Sequence, residues 1–294
     1  MVNKMAEARP EPKKLVLPEN LPPHKKLVFP KKLVLIIASE KGGVRKTTLG
    51  TALLTTLALA GLNVRAVQVD RQERLGVMSN LPVTTIEMPG AEEIRRDDLA
   101  DATALAPLLD MVLDPANEVV VIDIGSNLDA RFAEFWAAQD LDEELRQAEV
   151  AIIAFVPLLP EADALTLAGR TAERLTAVLP DSARIVFVEG QTGASYANLS
   201  GAAGTFVDKV LQPARDRGDA IKHPLLYPRT MSILERARLN PAQFRERPVS
   251  ELVELTGEPT AVVRQVRADV STYLHELGQE LAKIFPFRNG SAVG

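Results

Sequence analysis

Runs of apolar residues alternate with helical segments from residue 33 to near the end of the chain. Several runs, such as residues 119–124 and 150–156, are apolar on both faces, which is typical of strands buried in a parallel sheet. The pattern predicts strands at residues 33–38, 64–70, 119–124, 150–156, 183–188 and 223–227. It predicts helices at residues 47–60, 162–179, 201–211, 232–239 and 259–285, the third of them stopped or kinked near Pro213. This alternation indicates an α/β fold with a doubly wound, mostly parallel sheet flanked by helices.

The first 32 residues have a different character from the rest. They contain eight lysines and arginines, three glutamates and six of the twenty prolines, and Lys-Lys-Leu-Val occurs three times, starting at Lys13, Lys25 and Lys31. We interpret residues 1–32 as a disordered, flexible tail and residues 33–294 as a single domain that includes the C-terminal helices. The repeat leaves a second interpretation open, a tail that docks on DNA, a partner protein or a sheet edge.

Composition narrows the class of protein. The 294-residue chain has no cysteine, which excludes disulfides, thiolate zinc sites and iron–sulfur ligation and fits a cytoplasmic protein. Its 46% hydrophobic and 25% charged residues are ordinary for a soluble globular protein. No apolar run reaches the roughly 20 residues that a membrane-spanning helix needs, and no signal peptide is expected.

The segment KGGVRKTT, residues 41–48, lies between the first predicted strand and the first predicted helix. A glycine-bearing turn in this position directs successive backbone N–H groups toward a polyphosphate. Lys46 is placed to reach the β- and γ-phosphates, and the hydroxyl of Thr47 to ligate Mg²⁺. The segment therefore predicts a nucleoside triphosphate site built from Lys41, Gly42, Gly43, Val44, Arg45, Lys46, Thr47 and Thr48.

Arg45 departs from the commonest phosphate-loop pattern, GxxxxGK(S/T), which has glycine at this position. We expect its side chain to point away from the phosphates and its backbone to do without the positive φ that glycine allows. Nucleotide binding is compatible with this departure, whereas full hydrolytic competence is left open.

Two aspartates end predicted strands. Asp70 closes the strand at residues 64–70, and Asp123 lies at the end of the strand at residues 119–124. The carboxyl ends of parallel strands lie at one edge of a sheet, where α/β proteins bind their ligands. After a phosphate loop, such carboxylates hold the Mg²⁺ shell and the attacking water. We therefore expect both aspartates to be functional.

Together these segments resemble the ParA/MinD family of deviant Walker-type ATPases, specifically its ParA-like partition branch. The resemblance rests on SEKGGVRKTTLGTALLTTLALAGLNVRAVQVDRQ, on VVVIDIGSN and on HPLLYPRTMSILERARLNP, and it spans roughly residues 31–285. It implies a P-loop NTPase fold with a deviant Walker A motif, with ATP and Mg²⁺ as ligands. It also implies slow, partner-stimulated hydrolysis of ATP to ADP and phosphate.

The resemblance implies a role for each residue of the phosphate site. Lys41 is the signature lysine, which crosses to the other subunit's nucleotide in an ATP-bound dimer, while Lys46 holds the phosphates. Thr47 binds Mg²⁺, and Asp123 supports the ion through water. Asp70 belongs to the Mg²⁺ shell and helps to position the attacking water. Lys41, Lys46 and Asp70 are therefore expected to be catalytic.

The base side of the site is less well matched. Pro228 and Arg229 look like the family's late loop that lies against the base. Gln191 stands where an asparagine commonly reads adenine, and its amide is able to make an equivalent pair, so ATP rather than GTP rests on the resemblance alone. Gln68 replaces the first acid of an Asp-x-Asp that the family often carries, and only Asp70 is kept.

The function that the resemblance implies is DNA segregation. An ATP-dependent homodimer would bind DNA non-specifically and position plasmid or chromosomal DNA in the cytoplasm, on the nucleoid. A centromere-binding or adaptor protein would stimulate hydrolysis. The candidate DNA contacts are Arg236, Arg238, Arg245, Arg247, Arg264 and Arg267, and the alternative is a solvated face paired with Glu235, Glu246, Glu251 and Glu254.

Two other functions stay open. A Min-type membrane-positioning ATPase needs a C-terminal amphipathic helix, for which Ile284, Phe285 and Phe287 supply apolar residues. Pro286 cuts that segment short, so stable membrane anchoring is not expected. The other alternative, a nucleotide-switch accessory factor of DNA transfer with weak hydrolysis, would follow if Arg45 blocks turnover.

Overall fold

The computed structural model describes residues 26–27, 31–192, 194–285 and 287–288. The tail predicted at residues 1–32 therefore lies outside the described residues, apart from residues 26–27 and 31–32. Its first described segment, β1 (Lys26–Leu27), pairs antiparallel with β9 (Phe287–Arg288) near the other end of the chain.

Seven strands form one sheet in which every neighbouring pair is parallel. They are β2 (Lys32–Ile37), β3 (Val64–Val69), β4 (Val83–Ile86), β5 (Val119–Ile124), β6 (Val150–Leu158), β7 (Arg184–Gly190) and β8 (Ala220–His223). Their order across the sheet is β4-β3-β5-β2-β6-β7-β8. The predicted α/β class and sheet are confirmed, and the sheet is wholly parallel.

Helices connect these strands and cover the sheet. Those in the described residues are α1 (Lys46–Leu59), α2 (Arg74–Ser79), α3 (Ala91–Arg96), α4 (Ala100–Leu113), α5 (Asp129–Gln139), α6 (Asp142–Gln147), α7 (Ala162–Val178), α8 (Gly201–Phe206), α9 (Gln212–Arg217), α10 (Pro228–Ala237), α11 (Pro241–Glu246), α12 (Val249–Thr256) and α13 (Thr260–Ile284). A 3-10 turn at Tyr196–Asn198 precedes α8, and a π turn at Val207–Leu211 joins α8 to α9. Within the described part of the chain, no helix is both long and apolar enough to cross a membrane.

Strand β2 shows why the central strands are continuously apolar. Successive side chains of a strand point to opposite faces. Val34 and Ile36 pack into the core that α4, α5 and α7 cover, whereas Leu33, Leu35 and Ile37 pack into the core that α1 and α13 cover. Because helices lie on both faces, every position of this strand has to be buried.

The winding of the sheet reverses beside β2. The chain passes from β2 to β3 and β4 on one side, returns through β5, and then continues through β6 on the other side. In open parallel sheets, ligands bind in the crevice outside the carboxyl ends of the strands at such a reversal. Residues 38–45, which lead from β2 into α1, lie at this crevice.

Two predicted elements differ in the structure. The strand expected at residues 223–227 is instead Ala220–His223, because Pro224 has no N–H to continue the ladder. The stop or kink expected near Pro213 does not end the helical path, which continues through the π turn into α9. The wider π turn makes room for the proline ring, which would otherwise meet the carbonyl four residues earlier.

Candidate functional site

The loop between β2 and α1 has the backbone geometry of an anion site. Gly43 has φ +79° and Arg45 has φ +65°, so two residues of this short loop adopt the left-handed conformation. Val44 between them is 1% exposed and anchors the loop in the core. Left-handed residues in such a turn direct backbone N–H groups into a concavity, and the unpaired N–H groups at the start of α1 face the same way. The loop therefore offers donors to an anion.

Arg45 corrects one sequence-based expectation. Its backbone was expected to avoid positive φ, but it adopts φ +65° and ψ 30° at the N-cap of α1. A left-handed conformation costs a non-glycine residue about 1–2 kcal/mol. The side chain reaches the loop after β7, where Nη1 donates to the carbonyl of Gln191 at 3.0 Å. The loop thus keeps the conformation that glycine would have, at an energetic cost.

Lys46 lies inside the loop and is only 8% exposed. Its Nζ donates to the carbonyl oxygens of Ser39 at 2.9 Å and Lys41 at 3.0 Å, and to Oγ of Ser126 at 2.9 Å. Burial lowers the pKa of this ammonium group, and the nearby carboxylates, that of Asp123 foremost, oppose the shift. The cation is therefore held where an anion bound by the loop would meet it.

Asp123 and Thr47 lie next to Lys46. The Asp123 carboxyl is 4% exposed, it accepts a hydrogen bond from the Thr47 side chain, and its Oδ1 has no hydrogen-bond partner. Burial raises the pKa of Asp123 to about 6, the positive charge of Lys46 opposes the shift, and the charge of Asp70 adds to it. An unsatisfied carboxylate oxygen beside a hydroxyl is a donor set that fits Mg²⁺. The described residues contain no cluster of three or more His, Asp or Glu side chains suited to a metal.

Asp70 follows β3 directly and sits close to the loop after β5. Its Oδ1 accepts from the backbone N–H of Gln72 at 3.3 Å. A Cβ at Gly125 would lie 2.8 Å from the carbonyl oxygen of Val69 and 3.2 Å from Cγ of Asp70, so only glycine allows this approach. Gln68 is buried, and its Oε1 accepts from the N–H of Leu75 at 2.7 Å. The Gln68 amide thus orders the segment after Asp70.

The remaining residues of the phosphate loop border the crevice. Lys41 is half-buried, and among the described residues its ammonium group makes no ion pair or hydrogen bond. Thr47 and Thr48 line a cleft of about 670 Å³ between α1, α2 and α10. A Cβ at Gly42 would lie 3.5 Å from Oγ of Ser126, which brings the loop after β5 against the phosphate loop.

The predicted base-side residues lie on two separate segments, the loop after β7 and the start of α10. Gln191 is exposed, and its N–H donates to the carbonyl of His223 at 3.0 Å, at the end of β8. Pro228 begins α10, whereas the exposed Arg229 pairs with Glu258 at 3.4 Å. The described structure contains no hydrogen bond between Gln191 and Arg229.

Sequence reasoning missed a network of hydrogen bonds and ion pairs that fixes Glu40, the residue just before the phosphate loop. The guanidinium of Arg174 donates from Nη1 to Glu40 at 2.9 Å and to Asp129 at 2.8 Å. The hydroxyl of Thr171 donates to the same Asp129 oxygen at 2.9 Å and accepts from the N–H of Glu40 at 3.1 Å. Asp129 is 1% exposed, and its Oδ1 has no partner. Glu40 precedes the motif, but nothing local in the sequence points to an arginine 134 residues away.

Ser126 was also missed as a site residue. It lies three residues after Asp123, and its hydroxyl accepts a hydrogen bond from Lys46. A small hydroxyl residue just after a strand-end acid was the available signal in the sequence.

Most of the arginines considered for DNA contacts have local partners. Three pair with neighbouring carboxylates, namely Arg236 with Glu258, Arg245 with Glu246 and Arg247 with Glu251. Nε of Arg267 donates to the backbone carbonyl of Arg245 at 2.7 Å. In the part of the chain that the structure describes, the exposed Arg238 and Arg264 make no ion pair. Local pairing therefore accounts for most of this set.

The end of α13 packs on the core. Ile284 is 4% exposed and Phe285 3% exposed, and the ring of Phe285 lies 6.4 Å from that of Phe155 with an edge-on geometry. The predicted apolar surface is thus internal at these two positions. The side chain of Phe287 lies outside the described residues.

Fold and site together define a P-loop protein with a doubly wound parallel sheet and a lysine, Lys41, at the start of its phosphate loop. The family model of the CobQ/CobB/MinD/ParA nucleotide binding domain (CbiA) matches residues 35–210. Because this match covers more than half of the chain, the chain belongs to that family, and the expected ParA/MinD membership is confirmed.

The chain is similar to solved structures that include three of 14–15% identity. The septum site-determining protein MinD of Pyrococcus horikoshii, complexed with Mg-ADP, has 15% identity over 84% of this chain and 97% of its own, with a TM-score of 0.44. A chain of the MinC:MinD cell division protein complex of Aquifex aeolicus has 15% identity over 77% and 96%, with a TM-score of 0.43. A Cyanothece McdA variant in complex with ATP has 14% identity over 85% and 98%, with a TM-score of 0.44. A search of curated proteins found no match.

Proposed function

We propose that this chain is a ParA-like ATPase that dimerises with ATP, binds DNA non-specifically and drives segregation or positioning of plasmid or chromosomal DNA. The observation that supports the ATPase most directly is the meeting of Lys46, Thr47 and Asp123 at the start of α1, with Asp70 one strand away. We further propose that residues 33–294 act as one domain, since α1 and α13 pack into the same core.

Each side chain of the site has a proposed task. The Lys46 ammonium, now bonded to loop carbonyls, would exchange these partners for β- and γ-phosphate oxygens. Thr47 and Asp123 would hold Mg²⁺, which when bound supplies positive charge against the phosphates. Asp70 would orient the attacking water from the end of β3. The N–H groups of residues 42–48 would complete the phosphate cradle.

Lys41 is the proposed link between nucleotide and dimer. Two nucleotides facing each other bring many negative charges together, and a lysine from each subunit offsets them only while the γ-phosphate is present. The absence of an intrachain partner for the Lys41 ammonium, within the described residues, is consistent with this task. Hydrolysis would remove the contact and release the dimer, and a partner protein that completes the site would shorten its lifetime.

Sizing chromatography with ATP and Mg²⁺ tests this mechanism. The wild-type chain is expected to dimerise transiently, and Asp70→Ala is expected to give a dimer that persists because hydrolysis is slowed. Lys41→Ala is the matched variant, expected to bind ATP but remain monomeric. A wild-type protein and an Asp70→Ala variant that both stay monomeric with ATP would refute the proposed switch.

DNA binding is tested by fluorescence anisotropy with a random-sequence duplex. Affinity is expected only with ATP and is expected to fall steeply as salt is added, because bound counterions are released from the phosphates. Arg238→Ala and Arg264→Ala are expected to weaken binding, and Arg247→Ala, whose guanidinium pairs with Glu251, serves as the control. Equal binding without nucleotide would contradict the proposal.

The two alternative functions have less support. The membrane-associated Min type would need exposed apolar residues at the end of α13, but Ile284 and Phe285 are buried. The weakly hydrolysing switch was motivated by Arg45, whose backbone takes the conformation that glycine would. Measured phosphate release stimulated by DNA and a partner protein would separate the ATPase from that switch.

A further inference from the structure

Arg45 combines a strained backbone with a charge that has no counter-ion. Its φ of +65° is a conformation that glycine takes freely and other residues rarely take. Among the described residues its guanidinium makes one hydrogen bond, to a neutral backbone carbonyl, and no ion pair. Backbone strain of this kind is concentrated at functional sites, so we infer that the Arg45 side chain has a function that glycine would not provide.

The side chain crosses from the phosphate loop to the carboxyl ends of β7 and β8. Nη1 reaches the carbonyl of Gln191, whose own N–H bonds to the last residue of β8, His223. The positive charge of Arg45 also acts on His223. Burial is the larger cause and the charge of Arg45 the second, and together they lower the pKa of His223 to about 3. The guanidinium therefore lies between the loop that would hold phosphates and the segment considered for the base.

We propose that Arg45 is a nucleotide-contacting residue whose guanidinium binds the α-phosphate and ribose of a nucleoside di- or triphosphate. This inference rests on the proposed nucleotide site. A separate observation supports that site, namely the buried Oδ1 of Asp123, which has no hydrogen-bond partner. A nucleotide with its terminal phosphates in the loop and its base beside Gln191 has to pass the guanidinium with its α-phosphate and ribose. Four N–H donors remain for those acceptors once the bond to Gln191 is made.

The competing interpretation is that Arg45 is only a brace between two loops. A brace stabilises the fold and affects every ligand of the loop alike. A contact to the α-phosphate and ribose instead separates ligands that carry these two groups from ligands that lack them. Inorganic pyrophosphate, which has only two phosphates and no ribose, distinguishes the two roles.

Isothermal titration calorimetry with ATP, ADP and inorganic pyrophosphate, each with Mg²⁺, tests the proposal. Arg45→Gly keeps the left-handed backbone accessible, so the loop is expected to fold as before. We expect it to weaken ATP and ADP binding about tenfold, the size of one charge-assisted hydrogen bond, and pyrophosphate binding by less than about twofold. Arg45→Lys, which keeps the charge but lacks the planar fork, is expected to fall between.

Controls separate this inference from the function on which it rests. Arg170→Ala removes an exposed cation of α7 and measures the effect of net charge alone. An equal loss for all three ligands with Arg45→Gly, or no loss for any, would overturn the contact while leaving the nucleotide site intact. A wild-type protein that binds none of the three ligands would refute both. Thermal unfolding of each variant without ligand verifies that it is folded.

Discussion

Replacing Asp123 by asparagine is expected to stabilise the protein that is free of nucleotide and metal, although Asp123 is central to the proposed site. The carboxyl is 4% exposed, its Oδ1 is unpartnered, and burial raises its pKa from 3.8 to about 6. Asparagine has nearly the same shape and carries no charge. The variant therefore avoids the cost of holding a carboxylate in this buried place.

The sign and size of the effect follow from the two pKa values. Between about pH 4 and pH 6 the folded protein binds more protons at Asp123 than the unfolded chain does, so this group's contribution to the free energy of unfolding falls as pH rises. A shift of roughly two pKa units is equivalent to about 3 kcal/mol. Below about pH 4 the group is mostly neutral in both states, and the cost disappears.

Urea unfolding in the presence of a metal chelator measures this cost. The free energies of unfolding of wild type and Asp123→Asn are compared across the pH range, and their difference is expected to grow by about 3 kcal/mol in favour of the variant from about pH 4 to pH 7. Asp110→Asn removes an exposed carboxylate of α4 and controls for the change in net charge.

A difference that stays constant with pH would refute the raised pKa of Asp123. A difference that moves in favour of wild type as pH rises would mean that the positive charge of Lys46 outweighs burial. We also expect Asp123→Asn to lose most of the stabilisation that ATP and Mg²⁺ give to wild type. The variant would then be more stable without ligand but would bind ATP and Mg²⁺ more weakly.

Three further substitutions test other parts of the site. Gly125→Ala places a Cβ 2.8 Å from the carbonyl oxygen of Val69, and we expect about 1–3 kcal/mol of destabilisation in urea; unchanged stability would show that the loop after β5 moves freely. Arg174→Ala leaves the 1% exposed Asp129 without its ion-pair partner and is expected to lower the free energy of unfolding by about 2–3 kcal/mol, measured by thermal unfolding. Adding Asp129→Asn should restore part of that loss, and unchanged stability of Arg174→Ala would contradict a stabilising network. Lys46→Met removes the buried ammonium and is expected to weaken ATP binding about 100-fold in a fluorescent-nucleotide titration, while similar binding would exclude Lys46 from the phosphate site.

The sequence was sufficient for the middle of the sheet. The strand predicted at residues 119–124 has the bounds found in the structure, because an apolar run flanked by polar residues has one way to be buried between two helical layers. The short elements after Asp70, such as α2 and β4, were not predicted. Their apolar residues are few, and their conformation depends on packing against α1 and β3.

The base side of the site could not be derived in the same way. Gln191, Pro228 and Arg229 were assigned from the resemblance, and the contacts that the structure gives to Gln191 and Arg229 are made with residues distant in the sequence. Arg229, for example, pairs with Glu258, which lies 29 residues later in the loop between α12 and α13. Which residues read the base therefore stays a prediction.

What the sequence determined by itself is the place of the phosphate-loop motif, eight consecutive residues between a buried strand and a helix. The conformation of the loop was not determined in this way, because the left-handed backbone of Arg45 goes against the local preference of a non-glycine residue. Tertiary structure alone decided what surrounds that loop. Ser126 bonds Lys46 from 80 residues away, Arg174 bonds Glu40 from 134, and Arg45 reaches Gln191 across 146. Such contacts exist only once the parallel strands have brought their carboxyl ends to one edge, so no local pattern of the chain encodes them.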